Sequence, residues 1–186
     1  MTQPEPSIIF LNGTSSSGKS TLTTVLQERL EPVFLHFSED FFFNMLPGDA
    51  HQRLDFLAIG SALYDGFARS AAAMVAAGNH LIVDTVACHP GSMAAFERAF
   101  KGVGVLAVGV QCDIDVLDER ERQRGNRSAG LARTQSPKVH LEALYDVEVD
   151  TSTTTPDECA AIIVAAWRQP PADPAFDRLR NLAVPA

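Results

Sequence analysis

The stretch from Ile8 to Leu22, "IIFLNGTSSSGKSTL", decides the architecture. An apolar run stops at Asn12-Gly13, small polar residues follow, and Gly18-Lys19-Ser20 leads into a segment with apolar positions at helical spacing. Gly13-x-x-x-x-Gly18-Lys19-Ser20 has the P-loop pattern, and it stands where that pattern must, after a strand and before a helix. Glycines let the backbone bend so that successive N–H groups converge on phosphate oxygens. The helix beginning near Ser20 adds its partial positive end. Lys19 would then reach the β- and γ-phosphates of a nucleoside triphosphate, and the Ser20 hydroxyl would ligate Mg²⁺. A flexible turn with a chance lysine is the bland alternative, and it leaves the flanking strand and helix unexplained.

The rest of the chain supplies the frame such a loop needs. Val33–Phe37, Leu81–Asp84, Val103–Gln111 and Tyr145–Val149 read as further strands. Runs without polar alternation, such as the second and third of these, suit a parallel sheet covered on both faces. Helices are expected at Ser20–Leu30, Ile59–Ala77, Gly91–Phe100 and Asp113–Gln123. A last helix opens at Thr155-Pro156-Asp157-Glu158, which combines a capping box with proline at the first helical position. Strands alternating with helices give an α/β doubly wound sheet. The expected organisation is one domain over residues 1–168 and a Pro-rich tail over 169–186, read as disordered rather than as an arm lying on the domain.

Composition excludes several classes. At 186 residues the chain can bury a real core, and its 46% hydrophobic and 20% charged content are those of a globular protein. No apolar stretch approaches the roughly 20 residues a membrane span needs. The formal net charge of −8 disfavours nucleic acid as a partner. Cys88, Cys112 and Cys159 are far apart, form no C-x-x-C pair, and read as small buried hydrophobes rather than as a metal or disulfide framework. With no leader legible in residues 1–6, the expectation is a cytoplasmic protein without a membrane partner. The oligomeric state is not legible.

Two carboxylates and a group of arginines stand near the expected ends of strands. Asp40, after the second strand, lies where ligands sit in open parallel sheets. It could take the proton of an attacking hydroxyl, or it could cap the helix that follows. Glu39 beside it is the competing base and reads as solvated. Asp84, at the end of "LIVD", could hold the Mg²⁺ shell or contact the acceptor; a cap or a buried ion pair is the alternative. In "ERERQRGNRSAG", Arg120, Arg122, Arg124 and Arg127 could neutralise charge on a transferred phosphoryl group from a closing lid near 120–137. They could equally pair with Asp118, Glu119 and Glu121 on a solvated face. Arg124 and Arg127 flank Gly125-Asn126, where the helix should end, and are the better placed to reach phosphate. Phe41, Phe42, Phe43 and Met45 could line an apolar pocket, although at least one of the phenylalanines should be core. His51, His80, His89 and His140 show no metal-ligand spacing, and His36 reads as a core or sheet residue.

Taken in order, "NGTSSSGKS", "HFSED" with Pro47 seven residues after Asp40, "LIVDTV", "VGVQCD", "RERQRGNRSAGLA" and "VHLEALYDVEVDTS" resemble the chloramphenicol phosphotransferase family from about Ile8 to Trp167. The resemblance implies a five-stranded parallel sheet of the P-loop kinase type, and transfer of the ATP γ-phosphate to a primary hydroxyl of the antibiotic. It places the nucleotide-binding loop on Gly13, Thr14, Ser15, Ser16, Ser17, Gly18, Lys19, Ser20 and Thr21. It places the catalytic aspartate on Asp40, the lid on Arg120 to Arg127, and "DVEVDTS" near the adenine. One segment departs. "GDAHQRLDFLAIGSALYDG", from Gly48, is shorter than its counterpart in the family, so the reaction carries over better than the acceptor. The expectation is a kinase dependent on ATP and Mg²⁺, acting on a small hydroxylated molecule such as chloramphenicol or a related antibiotic. A metabolic or nucleotide-sugar kinase and a regulatory NTP-binding module are the rivals.

Overall fold

Strand β1 (Ser7–Asn12) occupies the centre of the sheet, and its Ile8, Ile9, Phe10 and Leu11 are wholly buried. The computed structural model describes residues 7–47, 56–124 and 130–182. β1 pairs in parallel with β3 (His80–Thr85) on one side and β4 (Gly104–Gln111) on the other, with Ile8 opposite Leu81 and Val105. β2 (Phe34–Ser38) flanks β3 and β5 (Val147–Asp150) flanks β4, giving five parallel strands in the order β2-β3-β1-β4-β5. The doubly wound α/β sheet read from the sequence is therefore the fold.

Alternation along β1 divides the interior in two, because successive strand side chains point to opposite faces. Ile8 and Phe10 pack with α3 (Phe56–Ala76) and α4 (Ser92–Ala99). Ile9 and Leu11 pack with α1 (Lys19–Arg29) and α7 (Pro156–Arg168). Phe10 meets Phe96 edge-on at 4.9 Å and Phe176 at 5.3 Å, contacts worth about 0.5–1.5 kcal/mol each beyond the area they bury. The capping box on α7 forms as read, with the Thr155 hydroxyl accepting from the Glu158 N–H and Pro156 in the first turn. Among the described residues no helix is long and apolar enough to cross a membrane.

The chain beyond Gln169 is not disordered over its described part. Helix α8 (Ala175–Leu182) lies against β4 and α4, with Ala175 and Phe176 buried in the first core. The Ala175 N–H donates to Asp146 at 2.7 Å, Arg178 donates to the Tyr145 carbonyl at 2.8 Å, and Arg180 donates to Glu97 at 2.7 Å. Proline-rich composition hid a short amphipathic element whose Phe176 and Leu179 sit one turn apart. A second difference falls in the polar stretch before Pro137. There α6 (Leu131–Gln135) forms after α5 (Ile114–Arg124), started by the buried Glu121 carboxylate, which accepts from the N–H groups of Gly130 and Ala132 at 2.8 and 2.9 Å.

Candidate active site

The cradle is assembled at the carboxyl ends of β1 and β3. Its two glycines serve different ends. A Cβ at Gly13 would stand 2.5 Å from the Val110 carbonyl, so only glycine lets the loop cross β4 this closely. Gly18 has φ +89°, left-handed backbone that side chains rarely adopt, and it turns the chain into α1. Ser16 is also left-handed at φ 64°, a costly conformation for a residue with a side chain. The hydroxyls of Ser16 and Ser17 are buried without a hydrogen-bond partner, although buried polar groups are normally satisfied. Donors of this kind on a left-handed loop at a helix start suit phosphate oxygens.

Lys19 is almost fully buried. Its ammonium donates to the carbonyls of Gly13 and Thr14 at 2.9 and 2.8 Å, and stands 3.8 Å from Asp84. The Ser20 hydroxyl donates to Asp84 at 3.1 Å, and His36 Nε2 lies 3.3 Å from the same carboxylate oxygen. Burial opposes a charge on Asp84, but the Lys19 ammonium and the hydrogen bonds from His36 and Ser20 outweigh it and hold the carboxyl below its usual range. An ionised carboxylate beside a serine hydroxyl is a hard-oxygen pair that fits Mg²⁺ bound chiefly through nucleotide phosphates. Among the described residues no group of three or more His, Cys, Asp or Glu forms a metal site on its own. His36 had read as a sheet residue; its backbone is in β2, but its ring reaches Asp84.

Helix α2 (Glu39–Phe43) follows β2 directly, and its cap is the Ser38 hydroxyl, which accepts from the Asp40 N–H at 3.3 Å. Capping therefore does not account for the Asp40 side chain. Asp40 borders both the cradle, with Lys19, Ser20, Asp84 and Arg124, and an adjoining cavity of about 770 Å³. Apolar walls of that cavity come from Phe43, Tyr64, Val86, Leu131 and Leu141, and its polar groups include His89, Gln135, Lys138 and Glu142. Of the aromatic run only Phe43 faces this space. Phe42 packs edge-on against Phe67 at 5.1 Å in the core, while Phe41 and Met45 are exposed.

Glu39 is buried rather than solvated. Its carboxyl accepts from the Thr85 hydroxyl at 2.5 Å and from the Val86 N–H, and it borders cradle and cavity alike. Burial pushes its pKa up to about 7, against the lowering effect of those hydrogen bonds and of Lys19. No periodicity in "HFSEDFFF" could have marked this, because the direction of Glu39 is set by how α2 docks on the core. Gln135 was also missed. Its side-chain carbonyl accepts from the Ser15 N–H at 2.8 Å, so α6 touches the P-loop across 120 residues of sequence.

The arginines separate. Arg122 pairs with Glu119 on the solvent face. Arg120 leaves the helix face to donate to the Thr151 hydroxyl and carbonyl at 3.1 and 2.8 Å and to Cys112. That brings it beside Gly18 in an outer cleft of about 320 Å³ shared with Thr21, Arg124 and Thr151. The end of β5 and the stretch "DVEVDTS" thus reach the loop, with Thr151 donating to the Ser17 carbonyl at 2.7 Å. Asp118 and Glu121 serve α6 instead of the arginines of α5, Asp118 by accepting from Arg133 at 2.8 Å. Arg124 borders the cradle. Arg127 lies outside the described residues, as do Gly125 and Asn126 and residues 48–55 of the departing segment.

Known proteins resemble this chain in sequence and in fold. The Mycobacterium tuberculosis protein named "Putative O-phosphotransferase Rv2636" is 30% identical over 201 aligned positions, which span 96% of this chain and 89% of that protein. Among solved structures, the Mycobacterium tuberculosis APS kinase CysC superposes with a TM-score of 0.67 at 15% identity, over 89% of this chain and 99% of its own. A gluconokinase from Sinorhizobium meliloti superposes at 0.63 with 16% identity, over 98% and 100%. Both share the fold. Residues 6–168 match the family described as chloramphenicol phosphotransferase-like proteins, and the chain belongs to that family of P-loop phosphotransferases.

Proposed function

We propose that this chain is an ATP-dependent kinase of a small hydroxylated molecule, with Asp40 as the general base. The observation that carries the reading is the place of Asp40, at the junction of a phosphate cradle and a separate, largely apolar cavity. A hydroxyl held in the cavity meets Asp40 on its way to the γ-phosphorus. Its oxygen forms the new P–O bond, the bond from that phosphorus to the ADP oxygen breaks, and the hydroxyl proton passes to the Asp40 carboxylate. Lys19 and the loop amides from Gly13 to Thr21 hold the phosphates, and Arg124 and Arg127 close over the transferred group. Arg120 supports the loop from the adenine side. Ser20 and Asp84 are the residues that would hold Mg²⁺, which when bound neutralises charge on the β- and γ-phosphate oxygens.

A regulatory NTP-binding module would need no cavity of this size beside its γ-phosphate site. A cytoplasmic setting, where ATP is abundant, suits the reaction. Chloramphenicol is the first acceptor to test, because the family is named for it, followed by other antibiotics and metabolites that carry hydroxyls. The experiment incubates the protein with MgATP and each compound and reads addition of one phosphoryl group by mass. ATP turnover that no hydroxyl compound stimulates would refute the kinase reading in favour of the nucleotide-binding module.

A further inference from the structure

We propose that Glu39 selects acceptors carrying a basic amine beside the reacting hydroxyl, so that the substrate class is amino alcohols. This rests on the phosphotransferase reading above and narrows it. Burying a carboxyl in apolar surroundings is costly, and the fold does not need this one. Lys19 already has Asp84 and two carbonyls, and α2 is capped by Ser38. The Glu39 carboxyl accepts from Thr85 and Val86, which leaves lone pairs for a further donor, and it borders the cavity. Glu39 and Asp40 border the same cavity and the same cradle, so the pair offers two carboxyls to one acceptor, one for the hydroxyl that reacts and one for a second polar group beside it.

Charge decides what that second group is. The cavity is bordered by Glu39, Asp40 and Glu142 against Lys138. His89 adds no fixed cation, since burial lowers its pKa. An ammonium entering this acidic space keeps Glu39 ionised and forms a charge-assisted hydrogen bond with it, stronger than one from a neutral donor. A second hydroxyl would gain less.

The test uses three probes on one skeleton: phenylalaninol, its desamino counterpart, and the diol in which a hydroxyl replaces the amine. Phosphorylation is followed by mass for wild type and Glu39→Gln, a variant that still accepts from Thr85, with a melting curve for each protein. Wild type should prefer phenylalaninol over the desamino compound by about tenfold or more in kcat/KM, the worth of a hydrogen bond to a charged group. Glu39→Gln should lose most of that preference, the kcat/KM ratio of phenylalaninol to the desamino compound falling toward one through a higher KM for phenylalaninol. Equal use of the three by wild type, preference for the diol, or a uniform loss on all three in Glu39→Gln would overturn the proposal; the last outcome would mark Glu39 as structural. Phosphorylation of other hydroxyl compounds but of none of these three would also overturn it and leave the kinase reading standing. Failure to phosphorylate any hydroxyl compound would remove the kinase reading, and this proposal with it.

Discussion

Replacing Glu39 with glutamine should change how stability depends on pH. In the unfolded chain this carboxyl titrates near its ordinary 4.5, while in the fold burial raises it to about 7. Between those values the native state holds a proton that unfolding releases, so stability falls as pH rises through the window from 4.5 to about 7. Below 4.5 both states are protonated and the buried carboxyl costs little. At about 1.4 kcal/mol per pH unit, the gap amounts to about 3 kcal/mol, withdrawn in full above pH 7. Glutamine has no proton to lose. The variant should therefore match wild type near pH 4.5 and exceed it by about 3 kcal/mol at pH 8, which for a domain of this size is roughly 6–12 °C in Tm. Melting curves of both proteins at pH 5, 6, 7 and 8, without nucleotide or divalent metal, measure the difference directly. Asp84 does not interfere, since its lowered pKa withdraws stability only below the ordinary carboxylate range, and His80, His89 and His140 titrate alike in both proteins. A Tm difference that stays constant from pH 5 to pH 8 would refute the buried, proton-holding state of Glu39.

Asp40→Asn should leave Tm and nucleotide affinity near wild type while transfer falls by about 10²–10⁴, the usual worth of a general base; the loose transition state of phosphoryl transfer favours the lower end. A stable variant with full kcat would refute the assignment. Lys19→Ala should abolish transfer, because the amides alone cannot balance charge on the β- and γ-phosphates, and phosphorylation at wild-type rate would refute the cradle. Arg124→Ala should lower kcat more than it weakens ATP binding, as kinetics beside equilibrium titration would show. Phe176→Ala should cost about 3–5 kcal/mol by emptying space against Phe10 and Phe100, and a melting curve unchanged from wild type would show that α8 does not hold the core.

What could be read from sequence was what the backbone alone requires. The bend of the loop at Gly13 and Gly18 is written in the residues themselves, whereas the Val110 carbonyl that Gly13 clears belongs to another strand and is not. Asp84 and Ser20 were legible because strand ends and helix starts converge in a parallel sheet, wherever the side chains finally turn. Features that depend on docking were not legible. Glu39 is buried because Phe42 and Phe43 anchor α2 against Phe67 and Tyr64, and no local pattern states that angle. Gln135 meets Ser15 through a helix whose start is fixed by Glu121 on another element. In the tail, proline-rich composition masks the one-turn spacing of Phe176 and Leu179 that docks α8.

Among the described residues, the linings of cradle and cavity have only Glu39, Asp40 and Val86 in common. The donor half draws on the loop after β1, the start of α1, the ends of β2 and β3 and Arg124 of α5, whereas much of the acceptor half comes from α2, α6 and the turns that follow α6 and β3. Selection can therefore rework the acceptor walls at Phe43, Leu131, Lys138 or Leu141 while the phosphate-handling parts stay constant. A lineage built on this plan can change its customers and keep its trade.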